Sequence, residues 1–300
     1  HIDPGPSLLL QPKDDAAKQF SKERIAPLIK ATPVLRDLVA QGNSSEAEAG
    51  VLYKPYPGGY LAMAGAGSPT NLASRPIRYL FGDEVDKYPI TREGDGITIA
   101  GERTASFDLN YLIALACSPT IEDDSRIAQS YGESDQRRAS VACPDCGHRQ
   151  FLHFFKHVHW DKRRNAKGDI VEHLTATARL HCEACGSVWS EGDRLLALQS
   201  TRWHQTRPFD CCGERRAPLA IYDGAWRGAA AAEAPDPVAA TWDWWHDDEE
   251  GRYAVYRARC PECGRWGVDN KHAGFQAGKL YSPWQKDRPQ DIAGKWIKAK

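Results

Sequence analysis

Through the first 120 residues, apolar positions come in short bursts separated by polar and glycine-bearing stretches. "SLLLQP" (7–12), "GGYLAMAGAGSP" (58–69), "RYLFGDE" (78–84) and "NYLIALACSPT" (110–120) each read as a strand running into a loop. Between the first two, residues 14 to about 38 are helical in pattern. Phe20, Ile25, Leu28 and Ile29 fall on one face, and Asp14 and Asp15 suit the first turn. Strands alternating with helical segments predict an α/β fold, a largely parallel sheet covered by helices.

From about residue 136 the pattern changes. Six of the ten histidines lie between 148 and 181, and eight of the nine cysteines between 143 and 263. "RQFLHFFKHVHW" and "EHLTATARLHC" are strand-like and flank a turn-forming "KRRNAKGD". "GAAAAEAPDPVAA" (228–240) is low in complexity and reads as a flexible insertion. Trp242, Trp244, Trp245 and Trp266 could stack on bases, although core or interdomain packing is the commoner role. Past 271, glycine and proline recur throughout, as in a linker. The expected division is 1–135, 136–270 and 271–300, the middle region β-rich and ribbon-like.

Composition narrows the classes. A chain of 300 residues suggests about two domains, and 41% apolar residues suffice for a packed core. A net charge of −1 excludes a global basic field. Local cationic clusters remain at Arg137–Arg138, Lys162–Arg164 and Arg215–Arg216. No apolar run approaches the roughly 20 residues that span a bilayer, so no membrane partner is expected. The N-terminus lacks the charged region of a signal peptide. Disulfides are therefore not expected, and the compartment should be reducing.

The cysteine spacing carries chemistry. "CPDCG" and "CEACG" enclose 35 residues, long enough for a β-hairpin. Each supplies two thiolates, and the following glycine lets the backbone turn around the sulfurs. Cys143, Cys146, Cys182 and Cys185 would close a tetrahedral, structural Zn²⁺ site. The intervening histidines fit a strand surface better than ligation, with His181 the only competitor. Cys260 and Cys263 need two further ligands for a second zinc: Cys211 and Cys212, awkwardly adjacent, or His204 as the alternative. Free buried thiols are the plain reading of that second set, and of Cys117.

At Asp83-Glu84 an apolar strand runs into an acidic pair, the pattern of a Walker B strand: an aspartate for Mg²⁺ and a glutamate to orient the attacking water. A solvated strand end is the plain alternative, and Asp86, Lys87 and Tyr88 read as the following loop. Ser118-Pro119-Thr120 ends the next apolar strand, where helicase-like and packaging ATPases keep a coupling motif. Taken alone it is a turn.

Together, "NLASRPIRYLFGDEVDKYP", "GERTASF", "ACSPTIEDDSRIAQSYGESDQRRASVACPDCGHRQ", "RWHQTRPFDCCGE" and "AGFQAGKLYSPW" resemble, in order and across nearly the whole chain, the GpA-type phage terminase large subunits. That resemblance implies a P-loop (RecA-like) ATPase that packages double-stranded DNA, using ATP and Mg²⁺, with a nuclease that cuts the concatemer. The implied partners are DNA, a small terminase subunit and the portal of a procapsid, in an oligomeric motor in the host cytoplasm. It assigns Asp83 and Glu84 to Walker B and Ser118, Pro119 and Thr120 to coupling. Arg75, Arg78 and Arg103 fall in family-like motifs, with structural ion pairing the expectation for each. A Walker A loop is missing. "GFQAGKL" (274–280) is one residue short, has leucine where a hydroxyl must meet Mg²⁺, and follows the coupling motif. The expectation is an internal piece of a longer protein or an incomplete reading frame, with the phosphate loop before "SLLLQP" and the nuclease after Lys300, inactive alone. Two rivals are a superfamily 2-like helicase fragment and a zinc-ribbon module that binds nucleic acid or a partner.

Overall fold

The computed structural model describes residues 3–39, 47–108, 110–120, 124–218, 238–246, 254–267 and 272–299. Contacts divide the chain into two units, His1–Gln129 and Ser130–Lys300. No described helix is long and apolar enough to cross a membrane.

The first unit is mixed α/β. Strand β1 (Pro6–Gln11) is followed by helix α1 (Asp14–Phe20), which runs through a π-helical turn (Ser21–Ile25) into α2 (Ala26–Ala31) and, after Thr32, α3 (Pro33–Leu38). Strands β2 (Tyr53–Tyr56), β3 (Gly59–Gly65), β4 (Tyr79–Asp83) and β5 (Leu112–Ala116) complete a sheet of order β2-β3-β1-β4-β5. All its pairings are parallel except the β2–β3 hairpin. The central strands bury Leu8, Leu10 and Leu80, which meet Leu72, Ile77, Val85 and Ala100 in one core. These side chains share one face of the sheet; on the other, Phe81 of β4 is 37% exposed.

Two features depart from the pattern. The buried face of the long helical segment is Ala17 and Ser21, while Leu28 is 53% exposed. The helix starts hard against β3: a Cβ at Gly65 would lie 2.4 Å from the Asp14 amide. Small residues therefore carry the contact. The wider π-helical turn then rotates later positions off the expected face. Strand β5, apolar throughout, lies at the sheet edge with Leu112 51% and Ile113 38% exposed.

The second unit holds β6 (Arg137–Ala142), β7 (Val158–Arg164), β8 (Ile170–His181), β9 (Val188–Trp189), α4 (Glu191–Gln199), β10 (Arg202–His204), β11 (Phe209–Cys211), β12 (Glu214–Pro218), β13 (Val238–His246), β14 (Ala254–Arg259), β15 (Phe275–Gln276) and α5 (Pro289–Lys298). Strands β7-β8-β9 form an antiparallel sheet, and a second sheet runs β11-β12-β13-β14-β10-β6-β15. Part of "RQFLHFFKHVHW" is helical, at Phe154–His157. Most of the alanine-rich insertion, 228–237, lies outside the described residues, as do the side chains of Trp242, Trp244 and Trp245. Trp266 is half-buried with the Arg259 guanidinium 5.5 Å from its ring centroid.

Residues 272–299 do not behave as a linker. Leu280 and Ala293 are buried in the second unit's core with Val141, Leu180 and Trp189, and α5 packs on β8. A buried arginine fixes this segment. Arg194, 1% exposed, is paired with Glu191 and donates through Nη1 to the Leu280 and Ser282 carbonyls at 2.8 Å each. Helix α4 presents it rigidly, because Ser190 and Asp193 form a reciprocal capping box. Arg194→Ala leaves those carbonyls without their donor, at about 1–3 kcal/mol each. We expect roughly 2–6 kcal/mol of destabilisation, with faster amide exchange across residues 279–298. Unchanged exchange there would show that the segment holds without Arg194.

Candidate functional site

In the first unit, β4 and β5 run parallel with Asp83 opposite Ala116, and the Glu84 amide donates to the Ala116 carbonyl at 2.8 Å. The Asp83-Glu84 pair and the Ser118–Thr120 turn therefore leave the same end of neighbouring strands. In a parallel sheet that end forms the ligand crevice. The end of β1 joins them: the Gln11 side-chain amide, 6% exposed, donates to Asp83 Oδ2 at 3.1 Å. Glu84 takes a left-handed backbone (φ 58°, ψ 42°), a strained state for a non-glycine residue. It swings the chain out of the strand into a short turn, Val85–Lys87, and Glu84 pairs with Lys87 at 2.8 Å.

Asp86 ties the crevice together. Its Oδ2 accepts from the Thr120 amide at 3.0 Å and the Thr120 hydroxyl at 3.2 Å, and its Oδ1 from the Ile127 amide at 2.9 Å. Burial pushes its carboxyl up, but hydrogen bonds from Ser125, Ile127 and Thr120 outweigh this and hold it below the usual range. Arg126 adds a second fastening, donating to the carbonyls of Val85 at 3.0 Å and Tyr88 at 2.7 Å while pairing with Asp95 at 3.1 Å. Gln11, Asp86 and Arg126 were not singled out from sequence. For Asp86 the signal was its place in the "DEVD" turn; the other two carry none.

The three motif arginines differ. Arg78 is buried, paired with Asp3, and donates to the Asn110 carbonyl at 3.0 Å. Arg75 lies 5.7 Å from the ring centroids of both Tyr53 and Tyr60. Arg103 accepts the Ile77 amide at 3.1 Å through its carbonyl, and its Nε has no hydrogen-bond partner among the described residues. Cys117 is half-buried against the first core, its thiol pushed up by that burial. "GFQAGKL" forms edge strand β15 and a 3-10 turn at Lys279–Tyr281. At its start, a Cβ on Gly274 would lie 2.0 Å from Ser134 Oγ. It has no loop-to-helix geometry to cradle a phosphate.

The second unit brings the cysteines together in two fours. Cys143, Cys146, Cys182 and Cys185 form one group and Cys211, Cys212, Cys260 and Cys263 the other, with sulfurs within 4.8 Å of one another in each. Separations of 3.9 Å (Cys143–Cys185), 3.8 Å (Cys146–Cys182) and 3.9 Å (Cys212–Cys260) approach the edge of a tetrahedron with 2.3 Å metal–sulfur bonds, about 3.8 Å. Three of the four knuckles share one backbone design. The glycine amide donates to the first cysteine carbonyl (Gly147→Cys143 2.9 Å, Gly186→Cys182 3.0 Å, Gly264→Cys260 2.9 Å), with glycine φ near +70°. The fourth is a hairpin. Cys211 pairs with Glu214 across β11–β12, and Cys212 (φ 55°) and Gly213 (φ 78°) make the two-residue turn. The left-handed backbone at Cys212 lets adjacent sulfurs face the same point.

The histidines considered as ligands lie elsewhere. His204, 2% exposed, has Nε2 2.6 Å from Ser140 Oγ, and burial pushes its pKa down to about 3. His181 packs edge-on to His159 at 4.9 Å. His148 and His157 reach the Glu183 carboxylate at 3.1 and 3.2 Å, fastening the two knuckles of the first group through a neighbour of Cys182. The thiols push one another apart in acidity. Cys143, though raised by burial, is drawn below the usual thiol range by Ser187 and the amides of Cys146 and Asp145, while burial pushes Cys182 above it. Such a set ionises fully only beside a cation.

The Asp86 clamp yields a pH prediction. Its carboxyl is lowered in the fold, so its contribution is complete above the unfolded value of about 3.9 and lost as pH falls through the folded one. Asp86→Ala strands the Thr120 and Ile127 amides and should lower stability at neutral pH by about 1–3 kcal/mol. The deficit relative to the parent should shrink below about pH 4. Denaturant unfolding across pH, with amide exchange in β4 and β5, measures both. A deficit constant to low pH would exclude the carboxylate as its source.

Three comparisons bear on this arrangement. Residues 1–203 match the family described as "Phage terminase large subunit gpA, ATPase domain". A curated relative, the "Terminase, large subunit" of Enterobacteria phage P21, is 26% identical over 152 residues, covering 49% of this chain and 24% of that protein. This chain thus spans about a quarter of that relative's length. No solved structure matches. The strand-end acidic pair and its neighbouring turn lie inside the matched region, which covers well over half the sequence: the chain belongs to the phage terminase large subunit gpA family.

Proposed function

We propose that the first unit is the catalytic-side part of a P-loop ATPase sheet in a DNA-packaging motor. The observation that carries it is the convergence of Asp83, Glu84 and Ser118–Thr120 at one end of two paired parallel strands. Asp83 would hold Mg²⁺, with Gln11 orienting its carboxylate, and a hard cation suits that oxygen donor. Glu84, turned out of the strand, would orient water, and Thr120 would report the state of the site through Asp86. The described residues hold no amide cradle for the β- and γ-phosphates. On this reading the cradle belongs to residues outside these 300, which fits a relative of which the match covers 24%. Translocation of double-stranded DNA, an associated endonuclease, a small terminase subunit, the portal, an oligomeric motor and the host cytoplasm follow as parts of the same proposal.

The test is phosphate release. The 300-residue chain should show no useful turnover. A longer protein carrying the phosphate loop should hydrolyse ATP, and Glu84→Gln in it should lower kcat by about 10²–10³, the scale for losing one preorganised catalytic group. Turnover by the short chain that disappears in its own Glu84→Gln variant would overturn this assignment.

For the second unit we propose two structural Zn²⁺ sites, one for each group of four cysteines. Four thiolates leave no open position for catalysis. Metal analysis of reduced protein should give two zinc ions per chain. Cys143→Ser should remove one and unfold the β7–β8 region, since binding there is also folding energy. Cys260→Ser should remove the other and leave β7–β8 exchange protection intact. Protein that is folded and free of metal would sink both sites.

A further inference from the structure

The hairpin enclosed by the first two cysteine knuckles is longer than a zinc site needs. Strands β7 and β8 leave the core at Val158 and Leu180, both buried, and run on past it. Every residue from 161 to 172 is exposed, so this ribbon is wet on both faces. An unsupported two-stranded ribbon is marginal on its own, yet the turn here is built. Asn165 Oδ1 accepts from the Lys167 and Asp169 amides at 2.9 Å each, and Asn165 Nδ2 donates to Asp169 at 3.0 Å.

The tip is cationic. Lys162, Arg163, Arg164 and Lys167 fall within six residues that contain no acid. Glu172 pairs with Arg163, while Asp169, hydrogen-bonded to Asn165, and Asp161, one residue before the run, keep their charge, so the positive charge is concentrated at residues 162–167 and the ribbon 161–172 as a whole carries +1. Arg164 donates one Nη1 bond to the Gly168 carbonyl, which fixes its stem and keeps its charge. The Lys162 ammonium stands 5.6 Å from the Trp160 ring centroid, and Trp160 is braced by Trp296 of α5 at 6.0 Å and by a 3.0 Å bond to His173. Lys162, Arg164 and Lys167 thus sit on one exposed projection, with no carboxylate ion-paired to them among the described residues.

We propose that this ribbon is a contact surface for duplex DNA, its tip seated against the phosphate backbone at a groove. Two strands about 4.8 Å apart fit a major groove about 12 Å wide. The three steps from Asp161 to Arg164 reach about 10 Å, enough for a groove about 8.5 Å deep. The tip offers no bidentate pair for a base edge, because Arg163 is engaged by Glu172 and Arg164 by Gly168. Its contacts are therefore with phosphate and blind to sequence, as a translocating motor requires. The choice of duplex DNA as partner rests on the packaging reading; the ribbon's exposure and charge do not.

The experiment is a salt titration of binding to a labelled duplex of about 30 base pairs and mixed sequence, using the 300-residue chain. Each phosphate contact adds about 0.9 to the slope of log K against log salt. The variant K162Q/R164Q/K167Q should lower the slope by about 2.7 and weaken binding more than about tenfold near 100 mM salt. K22Q/R24Q/K30Q, three exposed cations of the first unit, makes the same change in net charge and should leave the slope unchanged. Circular dichroism and zinc content should match the parent in both. An unchanged slope in the hairpin variant, an equal drop in the control, no duplex binding by the parent, or tighter binding to the single strand would each overturn the assignment. None of these outcomes touches the ATPase reading, which phosphate release decides.

Discussion

A single carboxylate makes the first unit's crevice one site instead of two loop ends. Strands β4 and β5 would be neighbours without Asp86, since their parallel ladder pairs Tyr79 to Asp83 with Leu112 to Ala116. A ladder fixes strands, however, and says nothing about the turns beyond them. Asp86 crosses that gap, taking the Thr120 amide and hydroxyl with one oxygen and the Ile127 amide with the other. Glu84 then has little freedom. Its amide is tied to Ala116 and its backbone is left-handed, so the side chain must leave the sheet where the strand ends. Strain of about 1–2 kcal/mol at a non-glycine left-handed residue persists only where the surroundings impose it, and here Asp86 and Arg126 do so.

The second unit depends on sulfur in the same way. Among the described residues, the buried cluster around its second cysteine group is Phe209, Cys211, Ala258 and Cys260, and two of these four are ligand candidates. Around the first group the core is larger, but Cys143 and Cys182 belong to it, buried beside Leu180 and Trp189. Both groups place two cysteines inward and two outward. Each metal would close the wet side of an apolar cluster, and that explains why knuckles far apart in sequence share one hydrogen-bond pattern. Glu183 extends the logic at the first group, where His148, His157 and Lys156 converge on a residue between the two ligands of one knuckle.

Much of this was legible in sequence because it is local. The C-x-x-C-G spacing encodes a knuckle, and apolar runs ending in acid or hydroxyl encode strands that deliver those groups to one edge. Non-local choices were hidden. Nothing in "DEVDKYP" says that the second aspartate, not the first, reaches the next strand's turn. The adjacent Cys211 and Cys212 looked awkward as ligands because sequence does not print the positive φ that aligns them. Residues 271–300 looked like a linker because glycine and proline are spread along them. Leu280 and Ala293 nevertheless enter the core, and Arg194 holds the Leu280 and Ser282 carbonyls. Helical periodicity misled at Leu28 because a π-helical turn breaks the period itself.

Strand β5 leaves one physical requirement open. Its sequence, Leu-Ile-Ala-Leu-Ala, is that of a strand meant for burial, yet it forms the edge of the sheet with Leu112 and Ile113 exposed and Phe81 of β4 37% exposed beside it. Edges that must stay bare are blunted with charge, proline or a bulge, and this one carries none. The opposite edge is handled differently, since β2 closes it as an antiparallel hairpin with a proline in the strand. The two edges of the sheet therefore differ in how they are closed. On the ATPase reading, a parallel strand added beside β5 would end next to Ser118–Thr120, so the loop following it would face Asp83 and Glu84 across the crevice. The missing cradle and the uncovered apolar edge then have one remedy. On that reading the residues that would bind phosphate would be carried by the strand that would bury Leu112 and Ile113, and completion of this sheet would be coupled to completion of its site.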